Sequence, residues 1–247
     1  MKTVFLFGDN LTEGSSDDVN LLGGKGANLA EMSNLNLPVP PGFTISTDVC
    51  NYFLEKNKYP QSIEKEVSKA IIKIELNKNQ FFGDEKNPLL LSVRSGARKS
   101  MPGMMETVLN IGLTEKTIPG LIKKTKSERF VYDSYRRLIM MYADVVMEKG
   151  NDFYSNKNNI GIRQILEDKL ESHKKTHCIS EDSKLTVDDL KYLVMVYKEI
   201  IYAKLNLNFP DNPKEQLWGA IDAVFRSWDG KRAKQYRKIE NIPSYWG

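Results

Sequence analysis

The sequence predicts an α+β chain: a mixed lobe over about residues 1–112 and 198–247, interrupted by a helical subdomain over about 113–197. Two patterns carry that reading. Short apolar runs punctuated by glycine and proline fill the first part, whereas from Ser127 onward apolar residues recur at helical spacing over long stretches. The 247 residues are 40% hydrophobic and 28% charged, which is enough for a buried core and excludes wholesale disorder, collagen-like repeats and a coiled coil.

Val4 to Phe7 reads as a strand, and Leu21-Leu22 leads into Gly23-Gly24-Lys25-Gly26, glycines that precede a helix over Ala27 to Leu35. Pro38 to Gly42 forces an extended turn, because proline fixes φ and biases its predecessor away from helix. Phe43 to Ser46 resumes as strand, and Ser46 or Thr47 caps a helix carrying Val49, Phe53 and Leu54. Beyond Pro60, Val67, Ala70, Ile71 and Ile74 share one face of a helix over Ile63 to Leu76. Leu89 to Val93 is apolar enough for a buried strand, and Val108 to Leu113 for another. Phe130, Tyr135, Leu138, Ile139, Tyr142 and Val146 mark one helical face that ends at Gly150. The polar stretches Asn151 to Asn159 and His173 to Lys184 read as loops. Thr186 and Asp189 form a capping box for a helix through Val194, Val196, Ile200 and Leu205. Pro213 opens a last helix, whose Leu217, Ile221, Val224, Phe225 and Trp228 share a face and which Gly230 closes.

Several function classes fall away on composition. The 36 Lys and Arg against 32 Asp and Glu give +4, too mild an excess to demand nucleic acid. Lys231, Arg232, Lys234, Arg237 and Lys238 read as a solvated helix face, since Trp228 and Tyr236 alone make no stacking platform. Cys50 and Cys178, far apart, build neither a disulfide framework nor a metal pair and suit a reducing cytoplasm. His173 and His177 lack a third ligand nearby, so no metal site is expected. No stretch approaches the ~20 apolar residues needed to span a bilayer, and no membrane role is expected.

Two segments carry chemistry. Gly23-Gly24-Lys25-Gly26 suits polyphosphate: glycines offer backbone N–H groups, a helix start adds positive dipole, and Lys25 adds a full charge. It is no Walker A loop, because Gly26 and Ala27 stand where Ser or Thr would hold Mg²⁺, and alone it reads more readily as a plain glycine turn with an exposed lysine. The second segment runs from Arg94 to Thr107 directly after a strand. Arg94 and Arg98 bracket Ser95-Gly96-Ala97 as forked donors for a phosphate, the alternative being a salt-bridged surface pair. Ser100, Met101, Pro102, Gly103, Met104, Met105, Glu106 and Thr107 read as a mobile flap over an adenine or ribose, since a solvated loop has little use for three methionines.

These residues closely resemble the pyruvate, phosphate dikinase family. The resemblance rests on Gly23 to Leu29, Pro40 to Phe43, and Ser92 to Arg98 running into Ser100 to Met105. Arg129 to Arg137, Ala223 to Trp228, Arg232-Ala233 and Tyr236-Arg237 extend it over essentially the whole chain. Phosphoenolpyruvate synthases share the Gly-Lys-Gly and Val-Arg-Ser elements, but acidic residues are expected there in place of the methionine loop.

The resemblance implies a partial ATP-grasp-like nucleotide-binding lobe with an inserted helical subdomain. It implies an enzyme that converts ATP, phosphate and pyruvate to AMP, diphosphate and phosphoenolpyruvate, a phosphotransferase using Mg²⁺ and a monovalent cation. By position, Lys25, Arg94 and Arg98 match residues that contact the ATP phosphates, and Ser100 to Thr107 match a glycine-containing flap. The family's phosphorylated histidine lies in a separate domain of the same polypeptide, and His173 and His177 match nothing of that kind. No catalytic residue is therefore expected here. Mg²⁺ ligands are expected after Gly247, as is the pyruvate-binding barrel, which makes the chain a fragment that does not turn over alone and leaves a homodimer to the missing domains. The rival reading is a non-catalytic docking or regulatory module.

Overall fold

In the computed structural model, which describes residues 2–9, 11–150 and 160–246, alternation along the first strand already fixes one face of a sheet. Val4 and Leu6 are 4% exposed while Phe5 and Phe7 are half-buried, and β1 (Val4–Phe7) pairs antiparallel with β2 (Gly42–Ile45) in the register Val4 to Ile45 and Leu6 to Phe43. α1 (Val19–Asn34) buries Leu22, Ala27 and Ala30 with Phe5, Val19 and Leu21 packed against them. Contrary to the expected helix start after the glycines, helix runs on both sides of them and breaks at Gly23, whose φ of 69° and ψ of 170° lie outside helical space.

α2 (Thr47–Lys56) and α3 (Ile63–Lys78) follow, each ended by an asparagine in the left-handed conformation, Asn57 and Asn79. Ser46 occupies the N-cap position of α2 but makes no capping bond, and Thr47, the other candidate cap, donates its hydroxyl to the Asn20 carbonyl at 2.6 Å. α3 buries Ile63, Val67, Ala70 and Ile74 and packs on β1 and β2. Met1–Phe81 joins Arg94–Glu106 and Val224–Gly247 in one compact unit.

The second unit holds Phe82–Val93 and Thr107–Ala223. The run expected as one buried strand from Leu89 to Val93 is split. β3 (Phe81–Phe82) pairs with β4 (Pro88–Leu89) and β5 (Leu91–Arg94) with β6 (Thr107–Ile111) as separate two-stranded ladders, so Leu91 and Val93 are only half-buried. α4 (Ile118–Thr125) leads to α5 (Glu128–Tyr142), which Ser127 caps by accepting from the Phe130 N–H and which continues as a π-helical turn over Ala143–Glu148. Val131, Tyr135, Leu138, Ile139 and Tyr142 face inward, whereas Phe130, expected with them, is 58% exposed because it lies one residue, about 100° of helix, off that stripe.

α6 (Ile162–Thr176) takes the first four residues, His173 to Thr176, of the loop expected from His173 to Lys184, and the rest of that stretch is turn and a short 3-10 helix over Asp182–Lys184. Leu166, Leu170 and His173 lie at spacings of four and three on its buried side, and the polar composition that suggested a loop is its solvent face. The expected loop Asn151 to Asn159 lies outside the described residues. α7 (Val187–Leu205) opens with the capping box of Thr186 and Asp189 and packs on α5. Arg136 of α5 is 2% exposed and held by Asp133 at 2.7 Å and Asp182 at 3.3 Å.

α8 (Pro213–Ser227) carries buried Gln216, whose side chain accepts from the Gly112 N–H at 2.9 Å and donates to the carbonyls of Leu113 at 3.2 Å and Pro210 at 2.9 Å. These bonds tie the first part of α8 to the residues that follow β6, within the unit of Phe82–Val93 and Thr107–Ala223. α9 (Lys231–Ile239) holds the basic run; of it Arg237 is buried, its guanidinium 4.2 Å from the Trp228 ring.

Candidate functional site: a glycine turn bonded to a cationic loop

The glycine turn and the second segment as far as Glu106 belong to the first unit, and they touch. At Gly23 a side chain is impossible: a Cβ there would lie 1.3 Å from the Gly96 carbonyl oxygen. One residue on, the Gly24 N–H donates to the Ala97 carbonyl at 3.1 Å, and the Lys25 ammonium donates to the Ser95 carbonyl at 3.1 Å. The turn thus lies flat along residues 95–98, and the Gly24 amide, expected to face an anion, is used inside the protein. Gly26 is buried, and a Cβ on it would meet the Thr44 side chain of β2 at 2.8 Å.

The contact gathers cations. Lys25 and Arg94 are exposed and Arg98 is half-buried, and none of the three is ion-paired with a described residue. A salt-bridged surface pair, the alternative for Arg94 and Arg98, is not what these residues form. The Arg98 guanidinium donates to the Thr47 hydroxyl at 3.4 Å, and its buried Nε has no hydrogen-bond partner. Sequence reasoning missed Thr47 as an Arg98 contact, since nothing local links residues so far apart. Lys25 thus meets the loop that bears Arg94 and Arg98 beside the point where α1 resumes after Gly23.

The flap follows directly. Met101 and Met104 close a turn, the Met104 N–H donating to the Met101 carbonyl at 3.1 Å, with Pro102 and Gly103 at its corner and Gly103 at φ 71°. Those residue types and that φ are the requirements of a type II turn. The methionines do not stand free: Met101 is 5% exposed in a cluster with Trp228, Ala233 and Ile242, and Met104 and Met105 pack against it. The Glu106 N–H donates to the Ser227 hydroxyl at 3.4 Å, and the Glu106 carboxylate meets Arg232 at 3.5 Å. Ser100 is exposed, and Thr107 opens β6.

His173 is engaged elsewhere, its Nε2 2.8 Å from the Asp189 carboxylate. The Thr186 hydroxyl, with the Thr186 amide and His173, holds the Asp189 carboxyl down at about 2. Among the described residues no three His, Cys, Asp or Glu side chains are grouped to hold a metal ion, and no helix is long and apolar enough to cross a membrane.

Comparison with known proteins defines the class to which the chain belongs. The family described as "Pyruvate phosphate dikinase, AMP/ATP-binding domain" matches residues 19–79 and 58–246, and the chain belongs to that family. Individual relatives are named pyruvate, phosphate dikinase. The Rhizobium meliloti (strain 1021) protein is 47% identical over 247 residues, all of this chain, and the Clostridium symbiosum protein is 46% identical over 237 residues, 95% of it. Pyruvate, phosphate dikinase 2 of Oryza sativa subsp. japonica is 43% identical over 244 residues, 99% of the chain. The chain spans 26% of the length of each of these relatives.

Proposed function

We propose that Lys25, Arg94 and Arg98 form the phosphate-facing wall of an ATP site, in the first part of an ATP-grasp-like lobe. The observation that carries this is the Lys25 bond to Ser95, which joins Lys25 to the loop that bears Arg94 and Arg98, three cations without a carboxylate partner among the described residues, in a chain of an AMP/ATP-binding family. Each guanidinium offers forked donors that match two phosphate oxygens at once, and Lys25 keeps protons beyond the one given to Ser95. The work of this wall is electrostatic: it neutralises the triphosphate and holds the transferring phosphoryl group in line, which is most of what a protein supplies to phosphoryl transfer. The flap residues from Ser100 to Thr107 cover the adenine or ribose of the bound nucleotide and exclude water.

In the full protein this site serves a phosphotransferase reaction, in which ATP, phosphate and pyruvate give AMP, diphosphate and phosphoenolpyruvate through a phosphohistidine carried by another domain of the polypeptide, in the cytoplasm. Mg²⁺ and a monovalent cation belong to that reaction. Among the described residues no three His, Cys, Asp or Glu side chains are grouped, and Mg²⁺ ligands are expected elsewhere in the full protein. A wall that reads phosphates predicts that ATP binds at least about tenfold tighter than AMP and that the difference shrinks as salt is raised. Equal affinities for ATP and AMP at low salt would refute the assignment.

A further inference from the structure

The flap is held unevenly. Its base is fixed from both ends: Met101 is buried against Trp228, Ala233 and Ile242, while the Glu106 N–H bonds to the Ser227 hydroxyl, which itself donates to the Val224 carbonyl at 2.6 Å. Ser227 also lies 3.9 Å from the Met105 sulfur. Two ion pairs flank the segment, Lys99 with Glu240 at 3.4 Å and Arg232 with Glu106 at 3.5 Å. The tip is free by contrast: Pro102 and Gly103 are exposed, and a Cβ built on Gly103 meets nothing within 4 Å.

We infer that Met101 and Ser227 are positioning residues, which anchor the base of the flap so that the Pro102-Gly103 tip alone moves and arrives in one place over the nucleotide. A two-residue tip on a fixed base has few conformations to lose when ligand binds, whereas a flap free along its whole length would pay ordering entropy at every residue. Met suits the anchor, because an unbranched thioether follows the irregular surface of an indole. The anchoring concerns the chain itself; its consequence for ATP rests on the phosphate-wall reading above.

Hydrogen exchange of the flap amides, read together with calorimetric titration of ATP into the same protein, tests this. In Met101→Ala the Met104 and Glu106 amides should exchange at least about tenfold faster with α1 and α3 unchanged, and ATP affinity should fall about fivefold. Met101→Leu, which conserves volume, should restore both. Should Met101→Ala fail to fold, Ser227→Ala carries the same test through the Glu106 amide and ATP affinity. Unchanged exchange in the folded variant overturns the anchor. Faster exchange with unchanged ATP affinity, while Arg98→Ala weakens binding, overturns the positioning role and leaves the phosphate wall standing. If Arg98→Ala also binds ATP unchanged, the wall itself is wrong and the inferred role in binding goes with it.

Discussion

Gly23→Ala isolates the contact on which the site is built. Two costs combine at that position. The backbone at φ 69° and ψ 170° is a conformation almost confined to glycine, which costs an alanine about 1–3 kcal/mol. The new Cβ would also stand 1.3 Å from the Gly96 oxygen, far inside contact distance of a backbone atom, so the loop must move and lose the bonds from Gly24 to Ala97 and from Lys25 to Ser95. At about 1 kcal/mol for each hydrogen bond, the total comes to about 3–5 kcal/mol. Gly103→Ala is the internal control: its φ of 71° is nearly the same, but its Cβ meets nothing within 4 Å, so only the backbone cost of about 1–3 kcal/mol applies. Denaturant unfolding followed by circular dichroism measures both. A difference between the two variants below about 1 kcal/mol would refute the reasoning, because Gly23 alone adds a close approach to a backbone atom on top of its conformational cost.

Gln216→Ala should lower stability by about 2–4 kcal/mol, since the Gly112 N–H and the Leu113 and Pro210 carbonyls lose their buried partner; the urea midpoint reports it. The Asp189 carboxyl, held at about 2 against 3.8, binds protons more weakly folded than unfolded. It therefore contributes on the order of 2 kcal/mol above about pH 4, lost as pH falls toward about 2, and Asp189→Asn should flatten that part of the acid-unfolding profile. Burial pushes the Cys50 thiol up to about 12, whereas Cys178 is exposed, so a disulfide reagent at mildly alkaline pH should titrate Cys178 alone in native protein and both thiols after unfolding.

Local signals were legible in the sequence and contacts between distant segments were not. The Thr186 and Asp189 capping box needs residues three apart, and it forms as read. Strands at Val4 to Phe7 and Gly42 to Ile45 follow from short apolar runs bounded by glycine and proline. Leu89 to Val93 was misread as one buried strand, because burial depends on partners and only two-stranded ladders form there. The lysines around His173 suggest a loop, although its spacing of three and seven from Leu170 and Leu166 is that of a helix face. At the site, residue types pointed to phosphate chemistry. That the Gly24 amide would be consumed by Ala97, or that Met101 would be buried on Trp228, depends on pairings across more than 70 and 120 residues that no local pattern announces.

The central claim is that Lys25 and the Arg94 to Arg98 loop bind the phosphates of ATP. Calorimetric titration of Mg·ATP into the wild-type chain and into Lys25→Ala and Arg94→Ala tests it most directly. Removing a charged donor from a phosphate should weaken binding by about 1.5–3 kcal/mol, roughly ten- to 150-fold in Kd, in each variant. Affinity equal to wild type in both variants would contradict the account.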